Sequence, residues 1–315
     1  MNIPVDFFII ADSVIYNSTG LLFVVLGVFI LIRMSGFPDL TADGSFTIGA
    51  AIYSVLMVGE WNTPFALSMA AIGGAVAGIL TWVINDRLGV GKVVSGVLSM
   101  IIFLLLAPYV SGGSTKGLLN VSSIFSQIDK IDASLSHRVL ADQPYQSHLL
   151  FSIVLLALFF IIGFIVINLL KTRTGLRLRY VGSSESPTLV SKKEKRYLLL
   201  LALISGNALI GVGGAIEAQR RGGYTNNMGI GMLLVALAIL ILGEALIKSF
   251  RKRDYLKLSE YATAVILGTF VYSAGIQLLL ALRIDFVDLR LLTALFLLVL
   301  LGIAGRAYSS STRLF

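Results

Sequence analysis

The sequence of 315 residues contains no cysteine and only two histidines. The absence of cysteine excludes a disulfide framework, a thiolate metal site and a cysteine nucleophile. His137 and His148 do not have the spacing of a metal-ligand cluster. The nearest approach to the phosphate-binding pattern GxxxxGK[ST] has Asp86 in place of its first glycine and Val93 in place of its hydroxyl residue. We therefore expect neither an enzyme nor a bound cofactor or metal, and any ATP hydrolysis would need a separate protein.

Charged residues are also scarce, at 13% of the chain, whereas hydrophobic residues make up 57%. This balance is typical of an integral membrane protein. The apolar runs are uninterrupted and lack the alternating polarity of barrel strands. Runs of about 20 apolar residues predict membrane-spanning helices. We predict an all-α, polytopic helical membrane protein with about nine transmembrane helices, near residues 19–34, 44–59, 64–85, 91–110, 147–170, 197–218, 229–249, 259–282 and 288–306.

The distribution of charge divides the chain and predicts its orientation. The stretch 171–196 holds eight basic and two acidic residues, so we expect it to face the cytoplasm. Threading the chain from this stretch places the N-terminus outside and the C-terminus inside. The net charge of +8 is explained by cytoplasmic loops that contact anionic lipids, without a nucleic-acid partner.

The expected domains follow from the same division. They are an N-terminal interfacial segment at 1–18, a first transmembrane half at 19–170 that includes an external loop at 111–146, a cytoplasmic loop at 171–196 and a second transmembrane half at 197–315.

Two segments of the chain share one pattern. Residues 36–60 and 222–244 each run from a polar, glycine-containing stretch into an apolar span that ends in Gly-Glu. In the predicted topology the two halves are inverted, as in transporters whose interrupted helices meet near the solute. Pro38 and Gly44 are expected to interrupt helical hydrogen bonding. The polar residues at the start of both segments are expected to border a solute pathway: Asp39, Thr41, Asp43, Ser45, Tyr224, Thr225, Asn226 and Asn227.

Other interpretations of these polar residues stay open. The aspartates could be solvated in a surface loop, and Thr41, Asp43 or Ser45 could cap the following helix. Glu217 lies in an apolar span, where a carboxylate is costly and suggests a function. Arg220 and Arg221 follow it by three and four residues, a spacing that favours a structural ion pair. An anion-attracting gate is the alternative.

Three stretches resemble a known family of permeases. TGLRLRYVG, at 174–182, resembles the T-x-x-G-R-A-x-R-A-x-G type segment of permease subunits of bacterial ABC importers, the superfamily of the branched-chain amino acid and ribose permeases. FPDLTADGSFTIGAA, at 37–51, and NMGIGMLLVALAILILGEAL, at 227–246, resemble its tryptophan/tyrosine-type subgroup. The resemblance covers about residues 19–306.

The resemblance implies an importer in a bacterial inner membrane, built from a permease homodimer, two cytoplasmic ATPase subunits and an extracytoplasmic solute-binding protein. It assigns a group of residues to the region that meets the ATPase: Gly175, Arg177, Arg179, Gly182, Ser183 and Glu185. It also implies that residues 37–45 and 219–231, which include Phe37, Gln219 and Arg220, line or support the solute path.

The expected function is therefore that of a permease subunit that carries a small polar organic solute, such as an amino acid. The charges of Arg220 and Arg221 depart from the family pattern and argue against an aromatic amino acid. One alternative is an ion-coupled secondary transporter in which Asp39, Asp43 or Glu217 carries protons or sodium. A passive channel or a structural membrane protein is a second alternative.

Overall fold

The structure is a computed structural model that describes residues 3–118, 121, 127–128, 131, 149–183, 190–251, 256–281, 298 and 302. In this part of the chain there are nine α-helices, one π-helical segment and two short strands. The helices are α1 (Ile3–Val28), α2 (Ala42–Val58), α3 (Thr63–Asp86), α4 (Lys92–Ser111), α5 (Leu149–Lys171), α6 (Arg173–Ser183), α7 (Lys192–Arg220), α8 (Met232–Arg251) and α9 (Leu258–Ala281). The π segment is Phe29–Met34, and the strands are β1 (Thr115–Gly117) and β2 (Gly223–Thr225).

Seven stretches of the described residues are long and apolar enough to cross a membrane, which confirms the polytopic helical class. They are Ile10–Met34, Thr63–Asp86, Lys92–Ser111, Leu150–Lys171, Lys192–Arg220, Met232–Arg251 and Leu258–Leu279. Helix α2 is apolar but has only 17 residues. Such a helix is about 26 Å long, shorter than a hydrocarbon core of about 30 Å. Of the predicted span 288–306, only residues 298 and 302 lie within the described residues.

The chain is interrupted between α1 and α2, as Pro38 predicted. Helix α1 is continuous through residue 18, where the sequence suggested a boundary, and widens into the π segment before it ends at Ser35. The prediction that Gly44 also interrupts a helix is wrong, because Gly44 lies inside α2. A Cβ atom at this position would stand 3.0 Å from the carbonyl oxygen of Met100 in α4. Gly44 therefore permits close packing of α2 on α4.

The described helices belong to two compact units. The first unit comprises 1–22, 128–158 and 234–315, and the second comprises 23–127 and 159–233. In the first unit, α8 and α9 approach closely at Gly243 and Gly268, where an added Cβ would overlap the backbone of the facing helix. Small residues at such crossings permit tight helix packing in a membrane.

The core of the second unit is the packing of α7 against α2 and α3. A Cβ at Gly211 would lie 2.5 Å from the carbonyl oxygen of Ala70 in α3. A Cβ at Gly74 would overlap the backbone of Asn207, and one at Gly214 would overlap the backbone of Phe46. The glycines therefore bring three backbones into contact and place α7 beside the interruption between α1 and α2.

A short antiparallel ribbon also belongs to the second unit. Strand β1 pairs with β2, with Lys116 opposite Tyr224. The N–H of Asn226 donates to the carbonyl of Ser114 at 2.9 Å, which extends the pairing by one bond. The ribbon joins the chain after α4 to the chain after α7.

Candidate functional site

The residues between the π segment and α2, 35–41, form a largely buried connection that we call the break segment. The N–H of Ser35 donates to the carbonyl of Ile30, five residues earlier, at 3.1 Å. The side chains of Phe37 and Asp39 are both fully buried. Lys92 lies over the ring of Phe37 at 5.6 Å and donates from Nζ to the carbonyl of Gly36 at 3.2 Å. Pro38 is exposed, but the rest of the break segment is buried or partly buried, so Asp39 is not solvated in a surface loop.

Asp39 is the centre of a buried polar network. Its Oδ1 accepts from the N–H of Thr41 at 2.9 Å, and its Oδ2 accepts from Nδ2 of Asn207 at 2.7 Å. Ser45 donates from Oγ to Oδ1 of the same asparagine at 2.6 Å. Buried polar groups are tolerated when they are hydrogen-bonded in this way. The network joins the break segment to α2 and α7.

Thr41 connects the break segment to two more helices. It occupies the N-cap position of α2, but its side chain makes no capping hydrogen bond. Its Oγ1 lies 2.5 Å from Oγ1 of Thr81 in α3 and donates to the carbonyl of Gly96 in α4 at 3.3 Å. The interpretation of Thr41 as a side-chain cap is therefore wrong, because its hydroxyl is used between helices.

Asp43 joins the two segments of the predicted repeat. It lies in the first turn of α2, yet its carboxylate accepts from the start of α8. Oδ2 accepts from the N–H of Gly231 at 2.7 Å, and Oδ1 accepts from the N–H of Leu233 at 2.8 Å. The first N–H groups of a helix lack partners inside the helix and carry partial positive charge. Asp43 therefore caps α8, the helix of the other segment, rather than its own helix.

Glu217 forms the ion pair that its spacing predicted. In the last turn of α7, its Oε1 lies 2.5 Å from Nη2 of Arg220 and 2.6 Å from Nε of Arg221. The Glu217 side chain is only 4% exposed, whereas those of Arg220 and Arg221 are 17% and 51% exposed. Two guanidinium groups thus compensate one buried carboxylate. The contacts confirm the predicted ion pair, whereas its role, structural or as an anion-attracting gate, stays a prediction.

The remaining predicted pathway residues lie near the end of α7 and on the ribbon. Gln219 accepts from the hydroxyl of buried Tyr53 in α2 at 2.9 Å. The hydroxyl of Tyr224 donates to Oδ1 of Asn226 at 3.3 Å, and burial raises the pKa of Tyr224 above its usual value. Thr225 and Asn227 are exposed. The ribbon therefore presents polar side chains beside a buried tyrosine.

The predicted ATPase-contact residues lie on or after the short helix α6. Its Gly175 is buried, with Leu178 and Val181. Arg177 is exposed and pairs with Glu194 at the start of α7. Of the other residues in the predicted group, Arg179 and Gly182 are half-buried and Ser183 is exposed. Glu185 lies outside the described residues.

The structure brings the predicted residues together in separate groups. Asp39, Thr41 and Ser45 share one network, whereas Asp43 and Glu217 have partners of their own. A solute-contacting role for these residues stays a prediction. Within the described residues no group of three or more His, Cys, Asp and Glu side chains is arranged to hold a metal ion.

Sequence analysis missed Asn207, the residue that completes the Asp39 network. A signal was present, because Asn207 is a lone amide in the apolar run LLLLALISGNALIG. Polar side chains in membrane spans commonly hydrogen-bond to a neighbouring helix. Sequence analysis also missed Thr81. A threonine in an apolar helix is a weaker signal than an asparagine, because its hydroxyl can bond within its own helix.

Comparison with known proteins identifies the family. A family model described as "Branched-chain amino acid transport system / permease component" matches residues 10–305. The chain is 29% identical over 290 residues to the tyrosine transport system permease protein of Clostridioides difficile, covering 92% of this chain and 90% of the relative. It is 24% identical over 290 residues to an uncharacterised protein of Rickettsia prowazekii, covering 92% of this chain and 96% of the relative. No solved structure gives a significant match.

These matches confirm the resemblance to ABC permeases that the three sequence stretches indicated. The family model covers nearly the whole chain, including the break segment, α6 and the start of α8. The chain is a polytopic membrane protein that belongs to the family of branched-chain amino acid transport system permease components.

Proposed function

We propose that this chain forms the membrane channel of an ATP-driven importer. In this proposal it acts as a homodimer with two cytoplasmic ATPase subunits and an extracytoplasmic solute-binding protein. The observation that carries the proposal is the family match over residues 10–305. Because the sequence lacks a phosphate-binding loop, the energy for transport comes from the ATPase partner.

The transported solute is an amino acid or a closely similar small molecule. Two similarities support this class: the matching family is that of branched-chain amino acid permease components, and the relative from Clostridioides difficile is named for tyrosine transport. The ion pair of Glu217 weakens the case against an aromatic solute, because Glu217 neutralises one of the two positive charges of Arg220 and Arg221. We therefore include tyrosine with the branched-chain amino acids as a test solute.

Helix α6 is the proposed contact with the ATPase. It is only 11 residues long, buries three small or apolar residues, and exposes Leu176 and Arg177. An amphipathic helix of this kind suits a groove on a partner protein. The eight basic residues of 171–196 support a cytoplasmic position for α6.

Reconstitution tests the proposed function directly. The chain is coexpressed with candidate ATPase and solute-binding subunits from the same genome, purified through a tag on the permease alone, and placed in proteoliposomes. We expect the ATPase to co-purify and labelled tyrosine or leucine to enter only with ATP and the binding protein. Uptake by the permease alone, driven by a proton or sodium gradient, would contradict the proposal and favour the ion-coupled alternative. Passive leakage without either energy source would favour a channel.

The α6 contact has a matched control within the chain. Arg177→Ala removes an exposed basic residue of α6, whereas Lys193→Ala removes an exposed basic residue just outside it. If α6 meets the ATPase, Arg177→Ala lowers the solute-stimulated ATPase rate and Lys193→Ala leaves it nearly unchanged. Equal effects of the two substitutions would mean that general positive charge, not α6, attracts the partner.

The cysteine-free sequence provides a test of orientation without background labelling. Lys116→Cys places a thiol on β1, and Ser183→Cys places one at the end of α6. In intact cells we expect a membrane-impermeant maleimide to label Lys116→Cys, and to label Ser183→Cys only after permeabilisation. The reverse pattern would overturn the proposed topology, with its N-terminus outside and its C-terminus in the cytoplasm.

A further inference from the structure

The break segment begins beside α6, the proposed ATPase contact, and ends in the Asp39 network. Before it, the π segment Phe29–Met34 has wider turns than an α-helix. Segments of this kind are uncommon and are often found at functional sites. Conversion of a π turn to an α turn changes the register of the following chain by one residue, about 1.5 Å along the axis and about 100° around it. Such a conversion at Phe29–Met34 would therefore move the break segment that follows it.

One end of the break segment meets α6 backbone to backbone at Gly36 and Gly182. Gly36 has φ of 62°, a conformation that favours glycine. A Cβ at Gly36 would lie 2.7 Å from the carbonyl oxygen of Gly182, and a Cβ at Gly182 would lie 2.9 Å from the carbonyl carbon of Ser35. With no side chain between them, a displacement of α6 is passed to residues 35 and 36 without loss to rotamer changes.

The other end of the break segment is bound to three helices. Asp39 holds Asn207 in α7, and Thr41 holds Thr81 in α3 and the carbonyl of Gly96 in α4. These bonds are buried, so no water replaces them when they are stretched. Movement of residues 35 and 36 therefore acts on α3, α4 and α7 at one point.

We infer that residues 34–41 transmit the movement of α6 to the membrane helices, with the Gly36–Gly182 contact as the input and the Asp39–Asn207 hydrogen bond as the output. This inference rests on the proposed function. Asp39 is in this scheme a positioning residue, which acts through Asn207 and need not contact the solute. Coupling between sites needs an element that changes its arrangement, and in this scheme that element is the π segment before the break segment.

Substitution at the input contact gives the first test, in the reconstituted complex with its ATPase and binding protein. Gly182→Ala adds a methyl group against Met34 and Ser35. Gly163→Ala is the matched control, because a Cβ there meets no atom within 4 Å. We expect Gly182→Ala to lower the solute transported per ATP hydrolysed by about tenfold, whatever its effect on the rate of ATP hydrolysis, a typical size for coupling between sites. Gly163→Ala should change neither quantity.

Exchange of the two output residues gives the second test, and it decides the matter if Gly182→Ala does not assemble. Asp39→Asn places two amides together and Asn207→Asp places two carboxylates together. The double variant restores one amide and one carboxylate. We expect each single variant to lose coupling as Gly182→Ala does, and the exchanged pair to recover transport per ATP to within about threefold of the unmodified chain.

The outcomes separate this inference from the proposed function. If the unmodified chain fails to co-purify with an ATPase, the proposed function is overturned and the inference with it. If the complex is active and Asp39→Asn transports as much solute per ATP as the unmodified chain, only the transmission role is overturned. Equal losses of ATP hydrolysis, transport and thermal stability, without recovery in the exchanged pair, would show that Asp39 only maintains the fold.

Discussion

The buried carboxylates of the second unit are stabilised in two different ways. In the region from the break segment to the first turn of α2, Asp39 and Asp43 accept only from neutral donors: backbone N–H groups and one asparagine amide. At the end of α7, Glu217 is instead paired with two arginines three and four residues further along its own helix. The first arrangement joins separate segments, whereas the second is complete within one turn.

The difference concerns what each carboxylate holds in place. Asp39 accepts from Thr41 nearby, but its partner Asn207 is 168 residues distant, and the partners of Asp43 are 188 and 190 residues distant. The positions of these distant partners depend on the packing of several helices. The partners of Glu217 are fixed by helix geometry alone. Substitution of the aspartates should therefore disturb tertiary structure, and substitution of Glu217 should act locally.

The largest effect is expected for Asp43→Ala. The change leaves the N–H groups of Gly231 and Leu233 without their acceptor in the interior, and the free energy of unfolding should fall by about 3 kcal/mol. Thermal unfolding in detergent measures the loss. Glu60→Ala, which removes an exposed carboxylate, is the control and should have little effect. A loss at Asp43 no larger than the control would contradict the proposed capping of α8.

Asp43→Asn should have an intermediate effect. The asparagine retains one oxygen acceptor for the start of α8 but lacks the second oxygen and the negative charge that favours a helix N-terminus. We expect a loss of about 1.5 kcal/mol in the same unfolding experiment. If Asp43→Asn is as harmful as Asp43→Ala, the charge and not the number of acceptors would be decisive.

Glu217→Gln should lower the free energy of unfolding by less than either substitution of Asp43. It removes the one negative charge that Arg220 and Arg221 share, but Arg221 is half exposed and can be solvated. A loss of about 1 kcal/mol is expected, at the upper end for partly exposed ion pairs. A greater loss than that of Asp43→Ala would overturn the distinction between a local and a tertiary carboxylate.

The smallest effect is expected for Arg221→Gln. Its side chain is 51% exposed, and Arg220 remains to compensate Glu217. The free energy of unfolding should change by less than about 0.5 kcal/mol. This difference from the unmodified chain should shrink as salt is raised from about 0.05 to about 0.5 M, because the exposed charge is screened. A salt-independent loss above this size would indicate a buried role for Arg221.

Much of the fold was predictable because membrane helices are encoded locally. Apolar runs of sufficient length predicted the seven spans of the described residues, and Pro38 predicted the interruption after α1. Gly44 was misjudged because a glycine that breaks a helix and one that permits close packing look the same in sequence. Only the neighbouring backbone of Met100 distinguishes them.

The candidate site was predictable in part. The i, i+3 and i, i+4 spacing of Glu217, Arg220 and Arg221 predicted their ion pair because a helix fixes those distances. Asp39 and Asp43 were singled out as carboxylates in an apolar context, but their partners were not identified. Hydrogen bonds between distant segments have no fixed spacing in the sequence, so Asn207 and the start of α8 could not be assigned to them.

The sequence by itself determined the membrane class, the main spans, the family and the Glu217 ion pair, because each depends on composition, on motifs or on contacts within a few residues. The tertiary structure decided that Asp39 joins the break segment to α7 and that Asp43 caps α8. The physical reason is that a buried carboxylate needs donors, and which donors reach it depends on how closely the glycines of α2, α3 and α7 allow the helices to approach.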